Sequence, residues 1–211
     1  MMRVVVLISG RGSNMEALLR AGLPVEFAAV ISNKAEAKGL AVARELGVET
    51  AVVNHKDYPS REAYDAKLAE VIDGYGADLV CLAGFMRILS DGFVNRYAGR
   101  MINIHPSLLP AFTGLDTHAR AIAAGVKLHG CTVHYVTPEL DAGPIVVQAA
   151  VPVLEDDTPD SLGARVLEQE HRIYPLAVRW IAEGRVELSA DGRARVRSNA
   201  PAANALISPA G

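Results

Sequence analysis

Val4-Val5-Val6-Leu7-Ile8-Ser9-Gly10-Arg11-Gly12-Ser13-Asn14-Met15-Glu16-Ala17-Leu18-Leu19 is the stretch from which the rest of the chain is read. Five consecutive aliphatic residues, four of them β-branched, suit a strand buried on both faces, as in a parallel sheet. The run stops at a loop with two glycines, and Met15 to Leu19 then has a helical pattern. Strand, tight loop and helix in this order expose backbone N–H groups at a helix N-terminus, where the macrodipole also favours an anion. The loop is not a dinucleotide fingerprint, because Met15 stands where the third glycine is needed, and it has no Walker lysine. Ser13 also lacks the Gly-x-Ser-x-Gly setting of a nucleophile elbow. A single phosphate on a small metabolite fits it best.

The pattern repeats outward from this stretch. Val25 to Ile31 predicts a second buried strand, Ala35 to Leu46 a helix closed by Gly47, and Val48 to Val53 a third strand. Pro59 and Ser60 open a helix whose apolar face carries Tyr64, Leu68, Val71, Ile72 and Tyr75. Leu79 to Ala83 predicts a fourth buried strand, and the alternation implies an α/β fold with a mostly parallel central sheet flanked by helices. Thr158 as N-cap and Pro159 at the first helical position begin the longest helix, its apolar face carrying Leu162, Val166, Ile173, Leu176 and Trp180. A hairpin from Val186 to Val196 follows, and Ser198 to Gly211, rich in Ala and Pro and uncharged, reads as a disordered tail. The expected organisation is one domain over residues 1–197 and a tail over 198–211.

Composition narrows the class of function. The 211 residues suit one ordinary domain, and a net charge of −3 gives no reason to expect DNA or RNA as partner. Cys81 and Cys131 each lie in an apolar strand-like stretch, which suits reduced core thiols and a reducing compartment. The apolar run Val4 to Ile8 is too short for a signal-peptide core or a membrane span, so a cytoplasmic protein without membrane contact is expected.

The chemistry is expected at Met101-Ile-Asn-Ile-His-Pro-Ser-Leu-Leu-Pro110. Strand alternation puts Asn103 and His105 on one face with α-carbons about 7 Å apart. Pro106 ends the strand, which leaves both at its C-terminal edge, where open α/β sheets bind ligands. The connection from Pro106 to Thr117 has the length of an active-site lid and is expected to be mobile. Thr137 to Pro144 is a turn-rich loop carrying Asp141, either a turn-capping residue or the acid paired with His105, and partly solvated in this reading. The loop Gly84 to Leu89 is unusually apolar, and Phe85, Met86, Ile88 and Leu89 suggest walls for a flat hydrophobic ligand. Arg61 opposes the dipole at its helix N-terminus, which points to a use for its charge. Glu168 and Glu170 are open between solvated charges and contacts to a ligand amine. No three ligands gather at metal spacing, so no metal is expected.

Ser9 to Asn14, Leu82-Ala-Gly-Phe-Met-Arg-Ile-Leu89, Asn103-Ile-His-Pro-Ser-Leu-Leu-Pro110 and Glu139-Leu-Asp-Ala-Gly-Pro144 together resemble the phosphoribosylglycinamide formyltransferases, the folate-dependent formyltransferases of purine synthesis. The resemblance spans roughly residues 2 to 185 and includes Ser60-Arg-Glu-Ala-Tyr64 and Gln169-Glu-His-Arg-Ile-Tyr-Pro175. It implies a single Rossmann-like formyltransferase domain with the C-terminal long helix and hairpin. It also implies transfer of a formyl group from 10-formyltetrahydrofolate, as co-substrate, to the amine of glycinamide ribonucleotide, by a monomer or homodimer. Asn103, His105 and Asp141 match the family's catalytic residues. Gly12, Ser13 and Asn14 would hold the ribonucleotide phosphate, and Leu167, Glu168, Gln169 and Glu170 the rest of that substrate. Arg61, Met86, Arg87, Ile88, Leu89, Asn103, Thr137, Pro138, Glu139, Leu140 and Asp141 would contact the folate. Arg11 and the segment Pro110 to His118 depart from the family pattern. A formyl-folate deformylase or the methionyl-tRNA formyltransferase is the rival enzyme reading, though each normally carries an extra domain. A phosphate-binding module without catalysis explains the first loop but not the Asn103, His105 and Asp141 set.

Overall fold

The first strand is buried as its composition demands: Val4 to Ile8 are all 0% exposed in the computed structural model, which describes residues 1–197. It belongs to a sheet of seven strands in the order β3-β2-β1-β4-β5-β6-β7. These are β1 (Met2–Ile8), β2 (Val25–Ser32), β3 (Thr50–Val52), β4 (Leu79–Leu82), β5 (Met101–His105), β6 (Leu128–Tyr135) and β7 (Ile145–Pro152). The pairs β1/β2, β2/β3, β1/β4 and β4/β5 are parallel and β6/β7 is antiparallel. The helices are α1 (Ser13–Arg20), α2 (Gly39–Glu45), α3 (Arg61–Gly74), α4 (Asp91–Arg96), α5 (Thr117–Ala123) and α6 (Pro159–Ala182). A short hairpin, β8 (Val186–Leu188) with β9 (Ala194–Val196), follows as expected. The tail expected from Ser198 lies outside the described residues.

The described residues form two compact units, one of Met1–Asn103 with Tyr135–Pro138, the other of Ile104–His134 with the described residues from Glu139 onward. In the first, the core joins Val5, Leu7, Ile31, Val80 and Leu82 of the sheet to Tyr64, Leu68 and Ile72 of α3 and to Phe93 and Tyr97. Ser60 caps α3 by accepting a hydrogen bond from the Ala63 N–H at 3.1 Å, the role its position predicts. Helix α2 starts at Gly39, not Ala35, because the chain from Lys34 first turns so that the Gly39 N–H reaches the Gly10 carbonyl at 3.0 Å. A Cβ on Gly39 would stand 3.1 Å from the Arg11 carbonyl oxygen, so the close approach of these two loops requires a glycine there. Helix α4 was not foreseen; Ser90 caps it by accepting from the Phe93 N–H.

In the second unit, α6 buries Leu162, Val166, Ile173, Tyr174, Ala177 and Val178, while Leu176, placed on the apolar face by periodicity, is 36% exposed. Leu162 and Val166 are fully buried, each worth about 1.5–3 kcal/mol relative to exposure. The helix start is a reciprocal cap: Thr158 Oγ1 accepts from the Ser161 N–H at 3.1 Å and Ser161 Oγ from the Thr158 N–H at 2.9 Å. One residue earlier, Asp157 holds Arg165 through two parallel bonds of 2.7 and 2.9 Å and accepts from the Leu154 N–H at 2.8 Å.

Candidate active site

Strand β5 ends at His105 because Pro106 supplies no N–H to continue the ladder. The imidazole is buried, with its Nδ1 3.6 Å from Asp141 Oδ2, and both side chains are less than a tenth exposed. Its Nε2 lies 3.0 Å from the Phe112 carbonyl. A carbonyl only accepts, so Nε2 carries the hydrogen in this arrangement and Nδ1 is the ring atom turned toward the carboxylate. A proton on Nδ1 would make the ring an imidazolium facing a carboxylate, able to give that proton to a leaving nitrogen. Asp141 sits at φ 52°, in the left-handed region that Asp and Asn tolerate better than most residues. The loop around Asp141 is partly solvated as the sequence suggested, with Pro138, Glu139, Leu140 and Ala142 exposed, while the Asp141 side chain itself is only 9% exposed and its Oδ2 also accepts the Gly114 N–H at 2.8 Å. One oxygen thus faces the histidine and fixes the loop that follows it.

That loop, expected to be mobile, is tied along its length. Ser107 Oγ donates to the Ala111 carbonyl at 2.6 Å, Thr117 Oγ1 to the Pro106 carbonyl at 2.7 Å, and Arg120 to the Thr113 and Leu115 carbonyls at 2.5 and 3.1 Å. From β6, Thr132 Oγ1 donates to the Ser107 carbonyl at 2.7 Å and accepts from the Leu109 N–H at 3.1 Å and Gln148 Nε2 at 2.9 Å. Behind it lie two further histidines: His118 Nδ1 is 3.1 Å from His129 Nε2, and Phe112 stands edge-on to the His129 ring. Burial, then the neighbouring His118 and His105, push His129 down to about 4, and burial and His105 also lower His118. A single hydrogen between two neutral rings satisfies this contact.

The sequence alone does not single out His118, His129, Thr132 or the Phe112 carbonyl for this site. The signals for these are three-dimensional. Phe112 adopts φ 54°, a conformation that its residue type does not announce.

The structure brings His105 and Asp141 together, and Asn103 stands two positions before His105 on β5, on the same strand face. Among the residues foreseen for the ribonucleotide, Gly12 is the left-handed N-cap of α1 at φ 74°, followed by Ser13 and Asn14. A Cβ on Gly12 would meet the Gly39 α-carbon at 3.1 Å and the Met15 side chain at 2.9 Å. On α6, Glu168 is exposed, Leu167 and Gln169 are half-buried, and Glu170 is 7% exposed; burial, and after it the Glu170 charge, push the Cys131 thiol up to about 12. Among the residues foreseen for folate, Met86 and Ile88 are 67% and 71% exposed. Phe85 and Leu89 instead pack against the core of the first unit. Arg87 lies over the Tyr64 ring at 5.6 Å, and Arg61 is exposed at the start of α3, 3.6 Å from Glu62. Asn103, Thr137 and Pro138 belong to the first unit, and Glu139, Leu140 and Asp141 to the second. Cys81 and Cys131 are buried thiols. Among the described residues, no group of three or more His, Cys, Asp or Glu side chains is arranged to hold a metal ion, and no helix is long and apolar enough to cross a membrane.

Residues 2–178 match the formyl transferase family. The chain belongs to that family. Among its relatives, the phosphoribosylglycinamide formyltransferase of Escherichia coli (strain K12) is 51% identical over 191 residues, covering 89% of this chain and 90% of that protein. The enzyme of that name from Haemophilus influenzae is 42% identical over 207 residues, 94% of this chain and 98% of the relative. Among solved structures, glycinamide ribonucleotide transformylase 1 from Symbiobacterium toebii superposes with a TM-score of 0.90 at 50% identity, covering 94% of this chain and 95% of that one. The formyl transferase family therefore accounts for the whole of the sheet and most of α6.

Proposed function

We propose that this formyl transferase moves the formyl group of 10-formyltetrahydrofolate to the primary amine of glycinamide ribonucleotide, yielding formylglycinamide ribonucleotide and tetrahydrofolate. The observation that carries the reading is the buried His105 and Asp141 pair at the C-terminal end of β5, two residues after Asn103, in a chain that covers nine-tenths of a relative bearing that enzyme's name.

The chemistry is acyl transfer between two nitrogens. The amine attacks the formyl carbon, a C–N bond forms, and the carbonyl oxygen becomes an oxyanion. The Asn103 amide and the His105 ring are the groups we assign to that oxyanion, where preorganised donors act most strongly. Collapse breaks the bond to the folate nitrogen, which gains a proton as the amine loses one. His105, facing Asp141, is the group we assign to the proton given to the leaving nitrogen. Gly12, Ser13 and Asn14 are assigned to the substrate phosphate and Leu167 to Glu170 to the remainder of the ribonucleotide. Arg61, Met86 to Leu89 and Thr137 to Asp141 are assigned to the folate. The two buried thiols support a reducing, cytoplasmic setting.

The test is incubation of the purified protein with both substrates, following folate absorbance and product mass. The expected product is the ribonucleotide one formyl group heavier, formed in step with tetrahydrofolate. Formate release without a formylated amine would replace this reading with that of a deformylase.

A further inference from the structure

Most cations of the first unit have a partner: Arg44 donates to Thr50, Arg100 to the Ala77 carbonyl, Arg61 lies 3.6 Å from Glu62 and Arg87 lies over the Tyr64 ring. Arg3, Arg20, Lys67 and Arg96 each hold a carboxylate, Glu26, Glu16, Glu70 and Asp73 respectively. Among the described residues, the exposed side chains of Arg11, Lys34, Lys38 and Lys56 make neither an ion pair nor a hydrogen bond. These four all follow the C-terminal ends of three neighbouring strands: Arg11 after β1, Lys34 and Lys38 after β2, Lys56 after β3.

The loops that carry them are joined. The Gly39 N–H donates to the Gly10 carbonyl at 3.0 Å, which seats Lys38 beside the backbone of Arg11. His55 Nδ1 lies 3.0 Å from the Asn33 carbonyl and 3.2 Å from its side-chain nitrogen, which joins the loop after β3 to the loop after β2. Lys34 and Lys56 then line one cleft of about 260 Å³ with Glu36, Asn54 and His55. Against the four cations, these loops carry two carboxylates, Glu36 and Asp57. In a chain of net charge −3, this edge is locally positive, and at Gly39 it adjoins the glycine loop at the start of α1.

Exposed cations that form no ion pair contribute little to stability, but they shape the field an approaching anion meets. We propose that Arg11, Lys34, Lys38 and Lys56 form an anion-gathering rim that draws a dianionic sugar phosphate to the loop at Gly12. It is a capture device, separate from the catalytic groups, and it rests on the function proposed above. Its reach is set by the Debye length, roughly 10 Å at 0.1 M salt and 3 Å at 1 M, so its effect is confined to low ionic strength.

The experiment compares the whole chain with a Lys34→Gln, Lys38→Gln, Lys56→Gln triple variant and with Arg11→Gln, at low and high salt. The triple variant is expected to keep kcat and the KM for formyl-folate. Its KM for glycinamide ribonucleotide should rise about three- to ten-fold at low salt, with the difference closing at high salt. The phosphate-free riboside should show no such difference. An unchanged salt dependence, an equal effect on the riboside, or an effect on the folate KM instead would overturn the rim. If the wild-type protein formylates no ribonucleotide, the functional reading fails on its own. The rim is then judged by ribose 5-phosphate titration followed at the Gly12 amide: weaker low-salt binding in the triple variant supports it, and equal binding overturns it.

Discussion

At Asp141 a single oxygen serves two partners, and substitution separates them. Asn keeps an acceptor for the Gly114 N–H and tolerates φ 52°, but it removes the charge 3.6 Å from His105; Ala removes both functions. Asp141→Asn should therefore lower kcat on the order of 10²-fold while leaving the fold and the loop in place, as expected for loss of acid–base support. Asp141→Ala should add a fall in thermal stability and a rise in KM for both substrates. Steady-state kinetics and a melting curve for each variant check this, and equal stabilities would show that the Gly114 tether contributes nothing. Asn103→Ala should cost 10²- to 10³-fold in kcat, about 3 to 4 kcal/mol, by analogy with other oxyanion donors. An unchanged kcat in the folded variant would remove Asn103 from the chemistry. The placement of Asn103 and His105 at alternate positions of one strand was legible from the sequence alone, since it needs only neighbouring positions. The Gly114 tether was not, because it depends on a contact across 27 residues.

Elements announced by their termini were the easiest to read. Thr158 and Pro159 specify the start of α6 with local chemistry, and Ser60 does the same for α3. Where a boundary is set by another segment, as when Gly10 delays α2 to Gly39, periodicity places it wrongly. Asp157, just before α6, makes a prediction of its own. The Arg165 guanidinium, opposed by desolvation and assisted by the Leu154 N–H and the Ser161 hydroxyl, holds its carboxyl well below the usual carboxylate range. A depressed acid stabilises the fold above its unfolded value, near 3.9, and that contribution is lost as pH falls toward the native value. Asp157→Asn should therefore cost about 2 kcal/mol in urea unfolding at pH 7. The gap between variant and parent should narrow below about pH 4. A gap that persists unchanged into strong acid would assign the loss to shape and not to charge.

Across the molecule, buried groups that titrate apart divide acid unfolding into stages. His129, held at about 4 by burial and by His118 and His105, is neutral in the fold but protonates near 6.5 when unfolded. Its contribution is full above that unfolded value and is lost as pH falls from there toward about 4, before the Asp157 contribution begins to go. A plot of unfolding midpoint against pH should show an upper stage removed by His129→Gln and a lower stage removed by Asp157→Asn. A profile unaltered by His129→Gln between pH 6.5 and 4 would refute this assignment. The α/β class and, apart from the short α4, the order of strands and helices were legible because they follow from apolar periodicity. The cluster of His105, His118 and His129 was not, because it joins a strand end, a helix start and a second strand with no common spacing.

Thr132 has a hydroxyl with every valence engaged, one hydrogen given and two received. Amide hydrogen exchange reads this at a single site. The Leu109 N–H belongs to neither helix nor strand, yet it is buried and ends on that oxygen, so it should exchange as slowly as an amide of the sheet. Thr132→Val, nearly the same in size, should release it to the fast rates of a surface loop while the β1 amides keep their protection. Solvent deuterium would then report, residue by residue, how firmly the chain after His105 is held.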